Sequence, residues 1–188
     1  MIRREWRTVK QALHNAASPN PLQTRVFLMQ LTAVTDTPRI ARPRQLPRTA
    51  AQLDAIAVLV HAATPKPDFS ALPAAAEWQL LHARSRPKAG QVRSCTLSNR
   101  QQTLAVVGYV AADASAFEQL AMAGRVIREA LARAPARLAL AALPGASATL
   151  THESLLEALL SAALVQDFPL PSFRSRPARA GRLRSVLV

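Results

Sequence analysis

The chain has 188 residues, of which 49% are hydrophobic, and its formal net charge is +13 at pH 7. This length and composition can bury one sizeable core, which excludes a fully disordered chain. One cysteine and 4% aromatic residues exclude a disulfide framework and a cysteine-rich zinc site, and they disfavour a surface on which many bases stack. No apolar run reaches the roughly 18 residues of a membrane-spanning helix.

The positive charge is concentrated at the two ends of the sequence. Residues 1–50 carry a net charge of +7, residues 51–173 carry +1 and residues 174–188 carry +5. Basic extensions on a near-neutral domain favour a polyanionic partner. The predicted parts are a basic amphipathic helix or arm over 1–20, an α/β domain over 21–173 with an Arg/Pro-rich insertion at about 37–49, and a basic arm over 174–188.

Residues 2–16 have the pattern of an amphipathic helix with an apolar and a basic face. An Arg-rich segment that is nearly free of acids is typical of a mitochondrial transit peptide, so we expect a mitochondrial protein. A helix that docks on a partner or on a phosphate surface is the alternative. The apolar face consists of Ile2, Trp6, Val9 and Leu13, and the other face of Arg3, Arg7, Lys10 and His14.

Strand and helix patterns alternate along the rest of the chain. This alternation predicts an α/β fold with a mixed β-sheet flanked by helices. Proline-rich residues 37–49 and 64–73 predict a linker or arm and a loop. The turn at 98–101 joins two strands into a hairpin. The predicted strands are 25–35, 55–61, 91–97, 103–110, 137–143 and 183–188, and the predicted helices are 74–83, 115–133 and 151–166.

The helix over 115–133 has the clearest signals. Ser115 and Glu118 have the spacing of a capping box. Glu129 and Arg133 are spaced for an ion pair on the wet face. Gly124, within the apolar stripe, indicates a close approach to the sheet. The stripe predicted to face the core contains Phe117, Leu120, Ala121, Gly124, Ile127 and Leu131.

Four stretches resemble the N-terminal domain of the leucyl aminopeptidase (cytosol aminopeptidase) family. They are AIAVLVHAATPKPDF, AGQVRSCTLSNRQQTLAVVGYV, FEQLAMAGRVIREAL with ARLALAAL, and FPLPSFRSRP with LRSVLV. The resemblance covers about residues 55–188. It implies a macro-like α/β fold that contributes to oligomer assembly and regulation and not to peptide hydrolysis.

The sequence departs from the family where the chemistry would be. The family's two-metal site uses a lysine, aspartates and a glutamate around an N-T-D-A-E-G-R motif, and this string is absent from the sequence. A two-metal site needs several carboxylates that converge on one pocket, whereas the acids here are scattered. Tyr109 follows Gly108 where the family usually has a second glycine, which puts any loop function there in doubt.

No other pattern predicts catalysis. The four histidines lack metal-ligand spacing, and Cys95, in a predicted strand, is expected to be a small core filler. Met29 and Met122 are expected in the core. We therefore expect no catalytic residue, no metal, no cofactor and no small-molecule substrate. The histidines are His14, His61, His82 and His152.

Arginine clusters are the main functional signal, because arginine makes bidentate contacts with phosphate and proline keeps an arm extended. We expect a non-catalytic structural subunit of a large assembly: a mitochondrial ribosomal protein that contacts ribosomal RNA and neighbouring proteins. The alternatives are an accessory subunit of a respiratory or ATP synthase complex, whose arms contact acidic protein or an anionic membrane, and a fragment of a two-metal aminopeptidase. The candidate nucleic-acid-binding residues are Arg3, Arg7, Lys10, Arg39, Arg42, Arg44, Arg48, Arg174, Arg176, Arg179, Arg182 and Arg184.

Overall fold

A computed structural model describes residues 38–41, 52–85, 87–143, 145, 151–168 and 183–188. Within these residues the chain forms six strands and three helices, which confirms the predicted α/β class with a mixed sheet. None of the described helices is long and apolar enough to cross a membrane. In chain order the elements are β1 (Arg39–Ala41), β2 (Ala55–His61), α1 (Ala75–Ser85), β3 (Val92–Thr96), β4 (Leu104–Val110), α2 (Ala116–Leu131), β5 (Arg137–Leu143), α3 (His152–Asp167) and β6 (Ser185–Leu187).

The six strands form one sheet in the order β1-β6-β5-β2-β4-β3. Neighbouring strands are parallel except β3 and β4, which are antiparallel as the predicted hairpin requires. Every residue of β2 and of β4 is buried. Their continuous apolar runs are typical of strands covered on both faces. The bounds predicted for β2 and β5 agree with the structure to the residue.

The two faces of the sheet carry separate cores, because side chains of a strand alternate between faces. On one face α2 and α3 pack over Leu59, Val106 and Leu140. On the other face α1 and the loop that precedes it cover the sheet with Phe69 and Trp78. The chain therefore has three layers, with helices on both sides of the sheet.

The face of α2 that meets the sheet differs from the predicted one. Phe117 is 79% exposed and Leu120 is 45% exposed, although both were predicted to face the core. Ile127 alone of the predicted stripe is fully buried. Apolar residues occupy more than half of the circumference of α2, so periodicity alone does not select the buried side. The buried residues of α2 are Gln119, Met122, Ala123, Val126, Ile127 and Ala130.

A glycine in the sheet, Gly108, explains this choice of face. A Cβ atom at Gly108 of β4 would lie 3.0 Å from Leu59 Cδ2 and 3.2 Å from Met122 Sδ, and would also press on Val126. Gly108 thus lets α2 lie close to the sheet. Gly124 was predicted to make this approach, and that prediction was wrong. Gly124 contacts α3 instead, where its carbonyl accepts a hydrogen bond from Gln166 Nε2 at 2.7 Å.

Polar side chains in the last turn of α2 and just after it bind the edge strand β3. Glu129 Oε1 accepts from Ser94 Oγ at 3.0 Å, and Arg133 Nη2 donates to Thr96 Oγ1 at 3.1 Å. The predicted ion pair between Glu129 and Arg133 is replaced by these two contacts. The predicted capping box is confirmed: the Glu118 backbone N–H donates to Ser115 Oγ at 3.3 Å, and the Ser115 backbone N–H donates to Glu118 Oε2 at 2.8 Å.

One short strand, β1, was not predicted from the sequence, and it pairs with the short strand β6 at the edge of the sheet. Arg39–Ala41 belongs to the segment predicted as a linker or arm, yet it forms β1. Arg39 N donates to Arg184 O at 2.9 Å, and Val188 N donates to Ala41 O at 3.0 Å. The sequence pattern missed β1 because three residues carry too little periodicity. The predicted helix over 2–16 and the predicted strand over 25–35, which includes Met29, lie outside the described residues.

Candidate functional site

Three exposed arginines lie at the amino ends of three neighbouring strands. Arg39 begins β1, Arg137 begins β5, and Arg184 precedes β6, which lies between them. We call these three residues the amino-edge arginines. Arg39 and Arg137 both pair with Ser185, so their side chains lie on one face of the sheet, two strand spacings or about 10 Å apart.

Backbone hydrogen bonds fix the positions of these arginines. Arg184 N donates to Ala136 O at 2.8 Å. Asp54 Oδ2 accepts from the backbone N–H groups of Ala136 and Arg137, both at 2.9 Å. The Arg137 guanidinium also contacts Gln52 O at 3.5 Å. The strand ends are thus held in place, and the arginine side chains extend from them towards solvent.

Two carboxylates lie at the same edge of the sheet. Asp54 accepts the bonds just described, and Asp167 Oδ1 accepts from Leu183 N at 3.4 Å. These acids offset part of the positive charge of the amino-edge arginines. Further positive charge is close along the chain, because the Arg-rich stretch 174–182 immediately precedes Leu183. The edge of the sheet formed by the amino ends of β1, β6 and β5, which we call the amino edge, therefore carries the three described arginines and is directly connected in sequence to a basic segment.

Two of the twelve predicted nucleic-acid-binding residues, Arg39 and Arg184, are described, and β1–β6 pairing brings them together. The sequence reasoning missed Arg137, which it treated only as the first residue of an apolar strand. Its proximity to the other two follows from strand order, which no local pattern shows. The other ten lie outside the described residues: Arg3, Arg7, Lys10, Arg42, Arg44, Arg48, Arg174, Arg176, Arg179 and Arg182.

A second notable group lies at the opposite edge, where β2 ends. His61 is 6% exposed, and its Nδ1 lies 3.3 Å from Thr64 Oγ1. Its Nε2 is buried and makes no hydrogen bond with a described residue. Gly145 packs against the ring, since a Cβ atom there would lie 2.5 Å from His61 Nδ1. No cluster of three or more His, Cys, Asp or Glu side chains suited to a metal occurs in the described ranges.

His82 belongs to α1, and its ring lies in a buried aromatic cluster between this helix and the sheet. Its ring centroid is 6.0 Å from that of Phe69 and 5.7 Å from that of Tyr109. The Tyr109 hydroxyl lies 3.3 Å from His82 Nδ1. Burial lowers the pKa of His82 below its ordinary value of 6.5, and a hydrogen bond with the Pro65 backbone opposes this shift. Burial in the core therefore favours the neutral form of the His82 ring.

We expect the stability of the domain to fall below pH 6.5 because of His82. The pKa of His82 is lowered from 6.5 in the folded state, so below pH 6.5 the unfolded chain binds a proton at this residue more readily than the folded chain does. The contribution of neutral His82 to the free energy of unfolding is therefore fully present above pH 6.5 and is lost as the pH falls. One such group changes the free energy of unfolding by at most about 1.4 kcal/mol per pH unit. Urea unfolding at pH 7.5 and pH 5.5 measures the change, which should be smaller in His82→Gln. Equal changes in both proteins would contradict this role.

Cys95 lies in β3 and is half-buried against the α1 side of the core. Burial, with a smaller effect from the negative charge of Glu77, raises the pKa of its thiol above the ordinary value of 9.0. The thiolate is the nucleophilic form. At neutral pH the Cys95 side chain is therefore a small apolar group and a poor nucleophile.

Comparison with known proteins identifies the fold. No protein-family model matches the sequence, and no curated protein does. The structure is similar to that of a point mutant of leucine aminopeptidase from tomato, with a TM-score of 0.52 and 16% sequence identity over 80% of this chain. The match covers 32% of the tomato chain, so this protein spans about a third of its length. At this identity the similarity is one of fold, in agreement with the aminopeptidase N-terminal-like architecture expected for residues 55–188.

Proposed function

We propose that the protein is a non-catalytic structural subunit of a large RNA-containing assembly, namely the mitochondrial ribosome, and that its arginines contact the phosphates of ribosomal RNA. The observation that supports this most is the group of amino-edge arginines, Arg39, Arg137 and Arg184, which adjoins the Arg-rich segment 174–182. Arginine presents a planar fork of donors that suits phosphate oxygens. Such contacts position a protein on RNA without reading its sequence.

The distribution of charge agrees with this role. Residues 51–173 have a net charge of only +1, whereas the flanking residues carry a net +12. The sheet holds the amino ends of β1, β6 and β5 at fixed spacing, and Arg39 and Arg137 lie on the same face of it. These two cationic side chains therefore need little reorganisation before they meet an extended polyanion. The near-neutral domain would then pack against neighbouring proteins of the assembly, and its basic edge and the basic flanking segments would contact RNA.

The first test is the salt dependence of RNA binding. Each phosphate contact with a single strand contributes about 0.7 to the slope of log Kobs against log salt concentration. Replacing Arg39, Arg137 and Arg184 by glutamine should therefore reduce the slope by about 2. Filter binding of the full chain to an unstructured RNA oligonucleotide, over a range of salt concentrations, measures the slope.

A second triple variant distinguishes RNA binding at the amino edge from a general attraction between RNA and any positive charge of the protein. Arg93 in β3 and Arg100 in the following turn are exposed at the opposite end of the strand order, and Arg128 is exposed on α2. Replacing these three by glutamine removes the same charge and should leave the slope nearly unchanged. Equal losses in the two triple variants would reject the amino edge as the RNA surface. Binding to cardiolipin vesicles without RNA binding would instead favour the accessory subunit of a respiratory or ATP synthase complex.

A second candidate function follows from the fold comparison. Because the matched part is 32% of the tomato aminopeptidase, the sequence would correspond to the non-catalytic N-terminal part of a two-metal leucyl aminopeptidase. Its role would then be assembly of that enzyme. Native purification of the tagged protein distinguishes the two functions. A chain much heavier than 20.3 kDa that hydrolyses leucine p-nitroanilide supports the aminopeptidase, whereas co-sedimentation with ribosomal RNA supports the structural subunit.

A further inference from the structure

Strand β3 forms one edge of the sheet and is open to solvent. It stands last in the strand order, and within the described ranges it pairs with β4 alone. Arg93, Ser94 and Thr96 of this strand are exposed. An exposed edge strand presents backbone donors and acceptors with which a further strand can pair.

The hydrogen bonds between β3 and β4 show which backbone groups of β3 point outward. Tyr109 N donates to Gln91 O at 3.0 Å, and Leu97 N donates to Thr103 O at 2.9 Å, so both ends of the ladder are hydrogen-bonded pairs. Such pairs alternate along an antiparallel ladder with pairs whose backbone groups point away from the partner strand. The register therefore directs the backbone groups of three β3 residues away from β4, and these residues are Val92, Ser94 and Thr96.

Arginine side chains lie on both faces of β3. On the α2 side, Arg125 Nη1 donates to Gly90 O at 2.7 Å, just before β3 begins, and Arg133 Nη2 donates to Thr96 Oγ1 at its end. Arg93 is adjacent to Ser94, whose side chain bonds to Glu129 of α2, so Arg93 points to the opposite face. An added strand would thus have cationic groups beside it on either face.

The charge along β3 favours an acidic partner. Pairing of β3 with a second copy of itself would bring the same cations together, and residues 1–50 and 174–188 of this chain are also basic. Like charges that face each other disfavour strand pairing, whereas acidic side chains complement this edge. The charged residues that lie in β3 or its flanking segments, or that hydrogen-bond to them, are the cations Lys88, Arg93, Arg100, Arg125 and Arg133 and the anions Glu77 and Glu129.

We propose that the open edge of β3 binds an extended acidic segment of a partner protein by strand addition. The added strand pairs with the outward backbone groups of Val92, Ser94 and Thr96, which repeat about every 6.7 Å. The main-chain hydrogen bonds supply affinity, and contacts of alternate side chains with the arginines supply specificity. β3 and β1 lie at opposite ends of the strand order, so this protein partner and the RNA of the proposed function bind different parts of the domain.

Fluorescence anisotropy of a labelled peptide of alternating valine and glutamate, added to the full chain, tests this pairing without RNA. The peptide should bind. The same peptide with every amide N-methylated keeps its charge but has no backbone donors, and it should bind about tenfold more weakly or worse. Replacing glutamate by lysine in the peptide should also weaken binding. Equal binding of the acidic and N-methylated peptides, or no preference for glutamate over lysine, would overturn the proposal and leave RNA binding at the amino edge unaffected.

Ser94→Pro blocks the edge on the protein itself. Proline has no backbone N–H, and at this position the N–H points away from β4, an orientation in which edge strands tolerate proline. Binding of the acidic peptide should fall about tenfold. Ser94→Ala is the matched control, because it removes only the side-chain hydrogen bond to Glu129, and it should bind the peptide as the unmodified chain does. Equal affinities of the two variants would contradict strand addition.

Arg93→Glu decides the outcome if far-UV circular dichroism shows that the proline variant does not fold. This exposed substitution reverses one charge beside the edge and should weaken binding of the acidic peptide about tenfold. Two further results would overturn the proposal. Displacement of the peptide by an unstructured RNA oligonucleotide, in the variant that lacks the amino-edge arginines, would assign the edge to RNA. A dimer of the unmodified chain that Ser94→Pro dissociates would assign it to a second copy.

Discussion

Replacing Trp78 by alanine is expected to lower the free energy of unfolding by about 3–5 kcal/mol. Trp78 is among the largest fully buried side chains of the structure. It stacks on Phe69 with ring centroids 6.0 Å apart, and its Nε1 donates to Pro73 O at 3.0 Å. Alanine would leave a cavity between α1 and the sheet and would also remove the donor for a buried carbonyl.

Urea unfolding monitored by far-UV circular dichroism measures this loss. Leu80→Ala on the same helix is the control, because Leu80 is 50% exposed and such surface changes usually stay within about 0.5 kcal/mol. Trp78→Phe keeps an aromatic ring and should lose less than alanine. If alanine at position 78 costs no more than alanine at position 80, α1 does not contribute to the core as the structure indicates.

The second large effect is the loss of stability expected when Gly108 of β4 is replaced by alanine, a loss that the same substitution at Gly124 of α2 should not cause. Gly108→Ala should destabilise the domain by about 1–3 kcal/mol, since the added Cβ meets Leu59, Met122 and Val126. The β-branched Val126 has little rotamer freedom in a helix, so it cannot turn away at low cost. Either α2 moves outward or the strand bends.

Gly124→Ala in α2 is the matched comparison. A Cβ atom there would lie 3.4 Å from Gln166 Nε2, an ordinary van der Waals distance. Glycine in a helix costs roughly 0.5–1 kcal/mol relative to alanine, so this substitution should leave stability unchanged or raise it. Parallel urea titrations give both values, and a shift of the same sign and size in the two variants would contradict the assigned packing.

Local signals in the sequence were sufficient for most individual elements. The Ser115–Glu118 capping box located the start of α2 because the two side chains satisfy backbone donors within a single turn. The runs at 55–61 and 137–143 predicted buried strands because both faces of a covered strand are apolar. Features that depend on residues far away in the sequence could not be predicted from the pattern of neighbouring residues. Which side of α2 is buried depends on Gly108 of a neighbouring strand.

The candidate site shows the same division. Composition and charge predict arginine as the candidate functional residue type, and Arg39 and Arg184 are candidates on that basis. Neither spacing nor periodicity could show that these two residues are joined by a backbone hydrogen bond at 2.9 Å. Arg137 joins them only through the position of β5 beside β6. A site formed by strand ends becomes visible once the strand order is known.

The pairing of β1 with β6 also has a consequence for the order of events during synthesis. Arg39 and its partner Ser185 are separated by about 145 residues, which a ribosome adds over on the order of ten seconds at 5–20 residues per second. Throughout that time β1 has no neighbour in the sheet, while β2, β4 and β5 can already associate. A nascent β1 is only three residues long and begins with an arginine, two features that discourage pairing with foreign strands. β1 can thus remain unpaired until β6 has been synthesised. Because the two strands are far apart in the sequence, closing the chain between them costs entropy, and we expect the β1–β6 pair to form late in folding.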